Sequence, residues 1–343
     1  MQNFSSRIIA WQRQHGRHTL PWQASRDPYR IWVSEIMLQQ TQVASVVPYF
    51  QRFIEHFPDL QSLASASQDA VLAQWSGLGY YSRARNLHRA AQRISEYHAG
   101  QFPHDIELIQ SLPGIGRSTA AAIAALAFGQ THAILDGNVK RVLTRHAGIS
   151  GWPGDKVVEA RLWTLAKARL PTKNIEAYTQ GMMDLGASVC TRTRPACLTC
   201  PVARDCVGLQ KNLIDKLPTP PSKKKLPEKQ IRMLMLLDQQ QILLQRRPSS
   251  GIWGGLWSLP ELEVEADPLS YCQTHFGLNV RHTASLPVIL HSFTHFKLHI
   301  HPIVMRISSH SGLSPDPQHR WLAAHSALDM GLPAPVRKLL LQL

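Results

Sequence analysis

Residues 112–129, LPGIGRSTAAAIAALAFG, carry the reading around which the rest of the chain is organised. Gly114 and Gly116 permit a tight turn directly ahead of a helix, because a residue without a Cβ enters backbone conformations closed to others. The amide N–H groups of such a turn, backed by a helix N-terminus, suit a phosphate. The run 118–128 is alanine-rich, so neighbouring helices can approach it closely, and Gly129 is placed to end it as a C-cap. Alone, a Gly-x-Gly is most often only a turn. It gains weight from Leu135-Asp136-Gly137-Asn138-Val139 further on and from a run of cysteines beyond that.

Working outward, residues 1–210 read as helical. Asp27 then Pro28 form an N-cap and first-position pair, opening a helix expected to run through Trp32, Ile36 and Gln40. A second helix follows Ser82, with Ala84, Leu87 and Ala91 on one face. Residues 211–228, KNLIDKLPTPPSKKKLPE, carry four prolines and a lysine triplet, a composition that reads as an extended basic linker. Beyond it, IRMLMLL and QILLQRR read as strands about a turn at Asp238 to Gln241. From 293 to 303, Phe296, Leu298 and Ile300 alternate with His295, Lys297, His299 and His301. Period two with one wet face predicts a strand of an antiparallel sheet. The fold class is therefore multidomain: an all-α half joined to a smaller α+β half.

A chain of 343 residues, 44% of them hydrophobic, is long enough for two or three packed domains. Its 37 Lys and Arg against 23 Asp and Glu leave a charge of +14, which favours a polyanionic partner, nucleic acid before an acidic membrane surface. No apolar run approaches the roughly 20 residues that span a bilayer. The first residues lack a secretory apolar core, so a cytoplasmic protein without membrane attachment is expected.

Four of the five cysteines fall at Cys190-x6-Cys197-x2-Cys200-x5-Cys206. One tight group in a cytosolic chain suggests a metal centre rather than disulfides. An iron–sulfur cluster, a zinc ion and unligated thiols are the candidates. A zinc ribbon brings two C-x-x-C knuckles from separated segments, and here only Cys197 and Cys200 form one. The short wrap favours a 4Fe–4S cluster. Arg192, Arg194 and Arg204 sit in the same loop, either as a solvated basic face or, preferred in so basic a chain, as phosphate contacts.

The ordered set VSEIMLQQTQV, GLGYYSRARNLH, LPGIGRSTA, ILDGNVKRVL, MMDLGASVC, the cysteine spacing and WGGLWSLPE resembles the helix-hairpin-helix DNA glycosylases of the endonuclease III superfamily, specifically the MutY-type adenine DNA glycosylases. The resemblance spans nearly the whole chain. It implies a six-helix hairpin region at about 26–130, a 4Fe–4S domain from 1–25 with 131–210, and a Nudix-like domain at 229–343 that recognises 8-oxoguanine. The implied partner is double-stranded DNA carrying adenine opposite 8-oxoguanine or guanine, bound by a monomer at the nucleoid; the basic linker is a candidate contact for a clamp or another repair protein.

Such an enzyme flips the base out and breaks its bond to the sugar. Adenine leaves well only when protonated, so an acid is needed, together with an anion facing the oxocarbenium sugar, as in paired-carboxylate glycoside hydrolysis. Glu35 lies on an apolar helix, where burial raises its proton affinity. Asp136 precedes a helix, whose dipole favours the ionised form. The two environments are expected to push the carboxylates in opposite directions. On residues alone each is more ordinarily a surface charge or a cap; at these matching positions the resemblance makes Glu35 the proton donor to the adenine N7 and Asp136 the stabiliser of the sugar cation. Asn138 positions groups beside them or is a plain cap.

Ser118 stands where bifunctional relatives carry the lysine that forms a Schiff base. A hydroxyl cannot form that imine, which argues for a monofunctional enzyme using water; Ser118 is otherwise an N-cap. Gln39, Gln40 and Tyr80 resemble wedge residues that fill the stack when adenine leaves, against a surface amide or core ring as the plain readings. Trp22 and Gln180 match positions lining the adenine pocket, an interhelical hydrogen bond being the plain role for Gln180. Phe293-Thr294-His295 matches the family's Phe-Ser-His loop, with threonine keeping the hydroxyl and adding a methyl. The acidic helix that would hold Mg²⁺ in a Nudix hydrolase is missing, so that activity is not expected. An endonuclease III-like lyase is opposed by Ser118 and the extra domain; a non-catalytic iron–sulfur DNA-binding protein is opposed by the two carboxylates.

Overall fold

Asn3 opens the first helix, α1 (Phe4–His15), by accepting the Ser6 amide at 2.9 Å. Asp27 does the same for α2 (Pro28–Leu38), accepting from Tyr29 at 2.9 Å while Pro28 occupies the first helical position. Caps of this kind contribute about 1 kcal/mol each. The computed structural model describes residues 3–222, 225–310 and 316–343. The chain divides into two units of interrupted sequence, Met1–Ser65 with Asn86–Lys223 and Ala66–Arg85 with Lys224–Leu343. The expected boundary near 210–228 is thus only half of the division: a segment from within the helical region belongs with the C-terminal unit.

The helices continue as α3 (Val43–His56), α4 (Leu60–Ser65), α5 (Gln68–Trp75, in the second unit), α6 (Ser82–Tyr97), α7 (Ile106–Ser111), α8 (Arg117–Phe128), α9 (Gly137–Ala147), α10 (Lys156–Ala168), α11 (Ile175–Asp184) and α12 (Val207–Gln210). In the first unit α8 packs against α2 and α11. Its Ala121, Ala122, Ala124 and Ala125 are buried, which is why an alanine-rich helix can sit at the centre of the unit. Gly129 takes a left-handed φ of 67° and ends α8 as expected. Helix α2 stops earlier than expected: Gln39 is its C-cap and Gln40 has φ 58°, a left-handed conformation that cannot continue a helix. A core of Ile8, Leu143, Leu162 and Leu185, each fully buried, ties α1 to α9, α10 and the turn after α11.

The proline-rich stretch is not a free linker over its first half. Leu217 is buried, its carbonyl accepts the Arg145 Nε–H at 2.8 Å, and the Gly151 amide donates to Thr219 Oγ1 at 3.2 Å. A single leucine has enough apolar surface to dock even where the composition is poor. Residues 223 and 224 of the lysine triplet lie outside the described residues.

In the second unit the described strands are β1 (Glu228–Asp238), β2 (Gln241–Arg246), β3 (Trp257–Ser258), β4 (Glu261–Leu262), β5 (Leu278–Ser285), β6 (Ile289–Ser292), β7 (Lys297–His310) and β8 (His319–Ala323), with helix α13 (Pro268–Phe276) between β4 and β5. They form one sheet in the order β3-β2-β1-β7-β5, with β4 on β1, β6 on β7 and β8 on β2. The sheet is mixed rather than antiparallel, because β1 and β7 run parallel from Glu228–Lys297 to Leu237–Arg306. Met233, Leu234, Met235 and Leu236 are all fully buried, so the central strand is covered on both faces. The strand expected from 293 begins only at Lys297. Residues 293–296 turn between β6 and β7, closed by a Phe293 N–H donating to the Phe296 carbonyl at 2.9 Å. No described helix is long and apolar enough to cross a membrane.

Candidate active site

Glu35 projects from the last turns of α2 into a cavity of about 480 Å³ in the first unit, within the roughly 300–1,000 Å³ of small-molecule sites. Asp136, Ser118, Asn138, Gln39, Gln40, Trp22 and Gln180 line the same cavity. Seven residues expected from sequence to act together with Glu35 therefore converge on one space. Burial, and then the charge of Asp136, push Glu35 up to about 7, so it holds its proton through the acid side of neutrality.

Asp136 caps α9, accepting the Val139 amide at 2.8 Å. The expectation that it would be pushed down is overturned. Burial raises it, and this outweighs the lowering by the Val139 and Asn138 amides and by the Arg141 charge. Both carboxyls border the cavity but are hemmed in by protein elsewhere, and loss of hydration dominates the helix dipole there.

Ser118 is not a cap; Gly116 is. The Ser118 hydroxyl accepts the amide of buried Leu135 at 2.9 Å, tethering the chain just before Asp136 to the first turn of α8. Asn138 is not a cap either: its Oδ1 accepts from Arg141 Nη2 at 2.8 Å. Gly186 lies against it so closely that a Cβ there would stand 2.6 Å from the Asn138 Cβ. Gln39 Nε2 donates to Thr119 Oγ1 at 3.4 Å, and Gln40 is exposed at the cavity rim. Gln180 donates Nε2–H to Asp184 Oδ1 at 2.9 Å, within its own helix rather than between helices. Fully buried Asp184 also accepts the Arg17 guanidinium at 2.6 Å and the Arg17 backbone amide at 2.9 Å.

In the hairpin, Gly114 has φ 79°, and a Cβ there would stand 2.7 Å from the Asn86 Cβ, so both its conformation and its neighbour require glycine. A Cβ on Gly116 would meet nothing within 4 Å, so the turn is open on that side. The four cysteines Cys190, Cys197, Cys200 and Cys206 line one apolar pocket with Val142, Leu185 and Ile214. None is in a disulfide. Burial raises the thiols of Cys197, Cys206 and Cys200, the last to about 11. Arg145 Nη1 lies 3.5 Å from Cys190 Sγ and donates to the Thr191 carbonyl at 2.6 Å, and its Nη2 donates to the Arg192 carbonyl at 3.0 Å. The side chains of Arg192, Arg194 and Arg204 are exposed.

Tyr80 is not at the carboxylate cavity. It lines a separate cavity of about 780 Å³ in the second unit, with Phe293, Thr294, His295 and Trp253. Tyr80 is 44% exposed with φ 49°, and Thr294 and His295 are exposed. Phe293 stacks on Phe296 at 4.6 Å, and Trp253, itself at φ 54°, packs 5.3 Å from Phe293 and 5.4 Å from His291.

The profile described as "HhH-GPD superfamily base excision DNA repair protein" matches residues 33–168, which hold Glu35, the hairpin and Asp136, and "NUDIX domain" matches residues 232–342. An "Adenine DNA glycosylase" of Buchnera aphidicola subsp. Acyrthosiphon pisum is 38% identical over 338 residues, 98% of this chain and 96% of that one. The chain belongs to the adenine DNA glycosylase family. The Homo sapiens "Adenine DNA glycosylase" is 35% identical over 86% of this chain and 65% of its own. Among solved structures, a thermostable thymine-DNA glycosylase aligns at TM-score 0.56 and 28% identity, covering 61% of this chain and 95% of its own. A non-covalent endonuclease III–DNA complex aligns at 0.52 and 21%, covering 61% and 94%, and shows the shared helical fold.

As an adenine DNA glycosylase the chain is a base-excision-repair enzyme acting on DNA. Three members of its site were not found by sequence reasoning. Asp184 and Arg17 carry ordinary surface-type side chains far apart in sequence, and only the fold buries Asp184 and brings the half-buried Arg17 onto it beside Gln180. Arg145 reads as a last-turn helix charge, although its i+4 spacing from Arg141 is a signal that both reach the cysteine loop from one face. Helix α13 carries no Asp or Glu.

Proposed function

We propose that this enzyme removes adenine paired with 8-oxoguanine or guanine by a monofunctional, water-using reaction in the cavity of the first unit. The observation that carries it is the pairing of Glu35, held protonated up to about pH 7, with Asp136 in one cavity that also contains Trp22 and Gln180. Glu35 gives its proton to the adenine N7, which turns the base into a neutral leaving group as the bond to the sugar breaks. Asp136, once ionised, faces the positive charge developing on the sugar; the Val139 amide bond and the Arg141 charge favour its anionic form. Water then adds to the sugar and returns a proton. Ser118 supplies no amine for an imine, and its tether to Leu135 holds the Asp136 backbone in place.

The cysteine pocket is read as the site of a 4Fe–4S cluster, held by Cys190, Cys197, Cys200 and Cys206. Buried thiols with raised proton affinity are thiolates only beside a strongly cationic centre, and Arg145 adds a positive charge at Cys190. Among the described residues no three His, Cys, Asp or Glu side chains gather closely enough for a single ion. Four thiols lining one pocket are the donor set that would hold a multi-iron centre. When bound, such a cluster would serve structurally, and the loop held by these four cysteines would carry Arg192 and Arg194 toward the DNA backbone. Tyr80 with Phe293, Thr294 and His295 is the reading surface for the partner base.

The deciding experiment is single-turnover excision on A:8-oxoguanine and A:G duplexes with the full chain and with Glu35→Gln. The variant is expected to bind duplex and to lose at least about two orders of magnitude in rate. Near-normal turnover removes Glu35 from the role.

A further inference from the structure

Helix α10 buries Val158, Leu162 and Ala166 on one side and presents Lys156, Ala160, Trp163 and Lys167 on another, at spacings of four, three and four residues. This second stripe forms, with Arg117 from the first position of α8, an open groove of about 440 Å³. The Arg117 guanidinium lies 3.8 Å over the Trp163 ring. A guanidinium that spends its flat face on an aromatic ring keeps its N–H donors in the plane, available edge-on. Glu159 is the one carboxylate lining the groove, and it is taken by Lys140 Nζ at 2.7 Å. Lys156 and Lys167 have no ion-pair or hydrogen-bond partner among the described residues. The groove therefore keeps three uncompensated cations on a rigid helix face directly beside the hairpin turn.

We propose that this groove is a second phosphodiester-binding site, taking duplex backbone beyond the nucleotide that the hairpin holds. Phosphate is the ligand that fits: the donors are cationic and edge-on, the only acid is neutralised, and the one aromatic face in the groove is already covered by Arg117, which leaves no platform for a base. Continuity with Gly116, the residue preceding Arg117, sets the occupant as the same DNA rather than a separate anion. The proposal rests on DNA binding alone and is independent of the roles given to Glu35 and Asp136.

The test is the salt dependence of binding by full-length protein to a fluorescein-labelled A:G duplex. Each lysine bound to a phosphate adds about one to the slope of log Kd against log salt. Lys156→Gln with Lys167→Gln should lower that slope by about two, and Lys156→Arg with Lys167→Arg should restore it. Arg93→Gln with Lys173→Gln, exposed charges outside the groove, should leave it unchanged. On a series of duplexes shortened from one end, the difference between wild type and the Gln pair should vanish once the arm that reaches the groove is removed. An unchanged slope for the Gln pair overturns the proposal. So does an equal drop for the control pair, or a difference that survives on the shortest duplex, since either marks bulk charge.

Discussion

Gln180 donates its side-chain amide to Asp184 Oδ1 at 2.9 Å, and Asp184 is in turn locked by Arg17 at 2.6 Å. The amide at the cavity wall is thus held rather than free to swing, with one N–H committed before any base arrives. Gln180→Ala should slow single-turnover adenine excision by about tenfold, the loss of one good hydrogen bond. Asp184→Asn, which keeps shape but releases Arg17, should reproduce most of that loss in rate and lower the melting temperature as well. Equal rates for wild type and Asp184→Asn would show that Gln180 needs no orienting.

With Glu35 raised and in its proposed role, both rate and stability should depend on pH. Its folded value of about 7 lies above the ordinary 4.5, so the folded form binds the extra proton between those values. Its contribution to stability is full below pH 4.5 and is lost as pH rises through 7. Glu35→Gln should therefore stabilise the protein at pH 8–9 by about 3 kcal/mol, at 1.36 kcal/mol per pKa unit, and leave it unchanged near pH 4.5. Denaturant melts at the two pH values check this. The single-turnover rate of the wild type should fall about tenfold per unit above pH 7 if the Glu35 proton is the one transferred.

Ser118→Ala removes the acceptor of the buried Leu135 amide. An unsatisfied buried N–H costs about 1–3 kcal/mol, so the variant should melt lower and excise more slowly through displaced Asp136. The unmodified protein should show little borohydride trapping on DNA. Ser118→Lys should raise trapping while losing the same tether, so its overall excision should not improve. Efficient trapping of the wild type would overturn the monofunctional assignment.

A fragment ending near Lys225 keeps every group proposed for the chemistry but removes the partners that Ser76, Tyr81 and Arg85 have at Gly254 and Leu332. Tyr81 Oη and Ser76 Oγ donate to the Leu332 carbonyl at 3.0 and 3.2 Å, and Arg85 Nη1 donates to the Gly254 carbonyl at 2.5 Å. The fragment should still excise adenine opposite guanine weakly, melt lower, and lose roughly one to two orders of magnitude of its preference for 8-oxoguanine. Point variants in the full chain separate the causes. Thr294→Ala and Trp253→Ala should each lower the A:8-oxoguanine to A:G rate ratio. A fragment that discriminates as well as the full chain would place partner recognition in the first unit.

Local signals were legible where backbone chemistry is local. Asp27-Pro28, Gly129 and the Asp238 to Gln241 turn announced themselves, because capping and turn residues act within a few positions. The cysteine spacing and the hairpin glycines were equally plain. What could not be read were effects of burial and of long-range pairing. The sign of the Asp136 shift depends on how deeply α9 begins inside the protein, which no cap motif encodes. The parallel pairing of β1 with β7 joins residues 69 positions apart at Glu228 and Lys297, and an alternating pattern does not tell direction. Tyr80 was grouped with Gln40 by function, yet it lines a cavity of the other unit.

The placement of Ala66–Arg85 in the second unit has a consequence for how the chain is made. A ribosome emits this segment early, at roughly 5–20 residues per second, yet its partners at Gly254 and Leu332 emerge only near the end. Leu72, 1% exposed in the finished fold, packs where a Cβ on Gly331 would stand 3.0 Å from its own Cβ. During most of translation its contacts with Gly255 and Gly331 do not yet exist. Until the sheet forms, α5 waits without those contacts. A message truncated or stalled ahead of codon 331 should therefore yield a protease-sensitive product cut within 66–85, even though it carries Glu35 and Asp136.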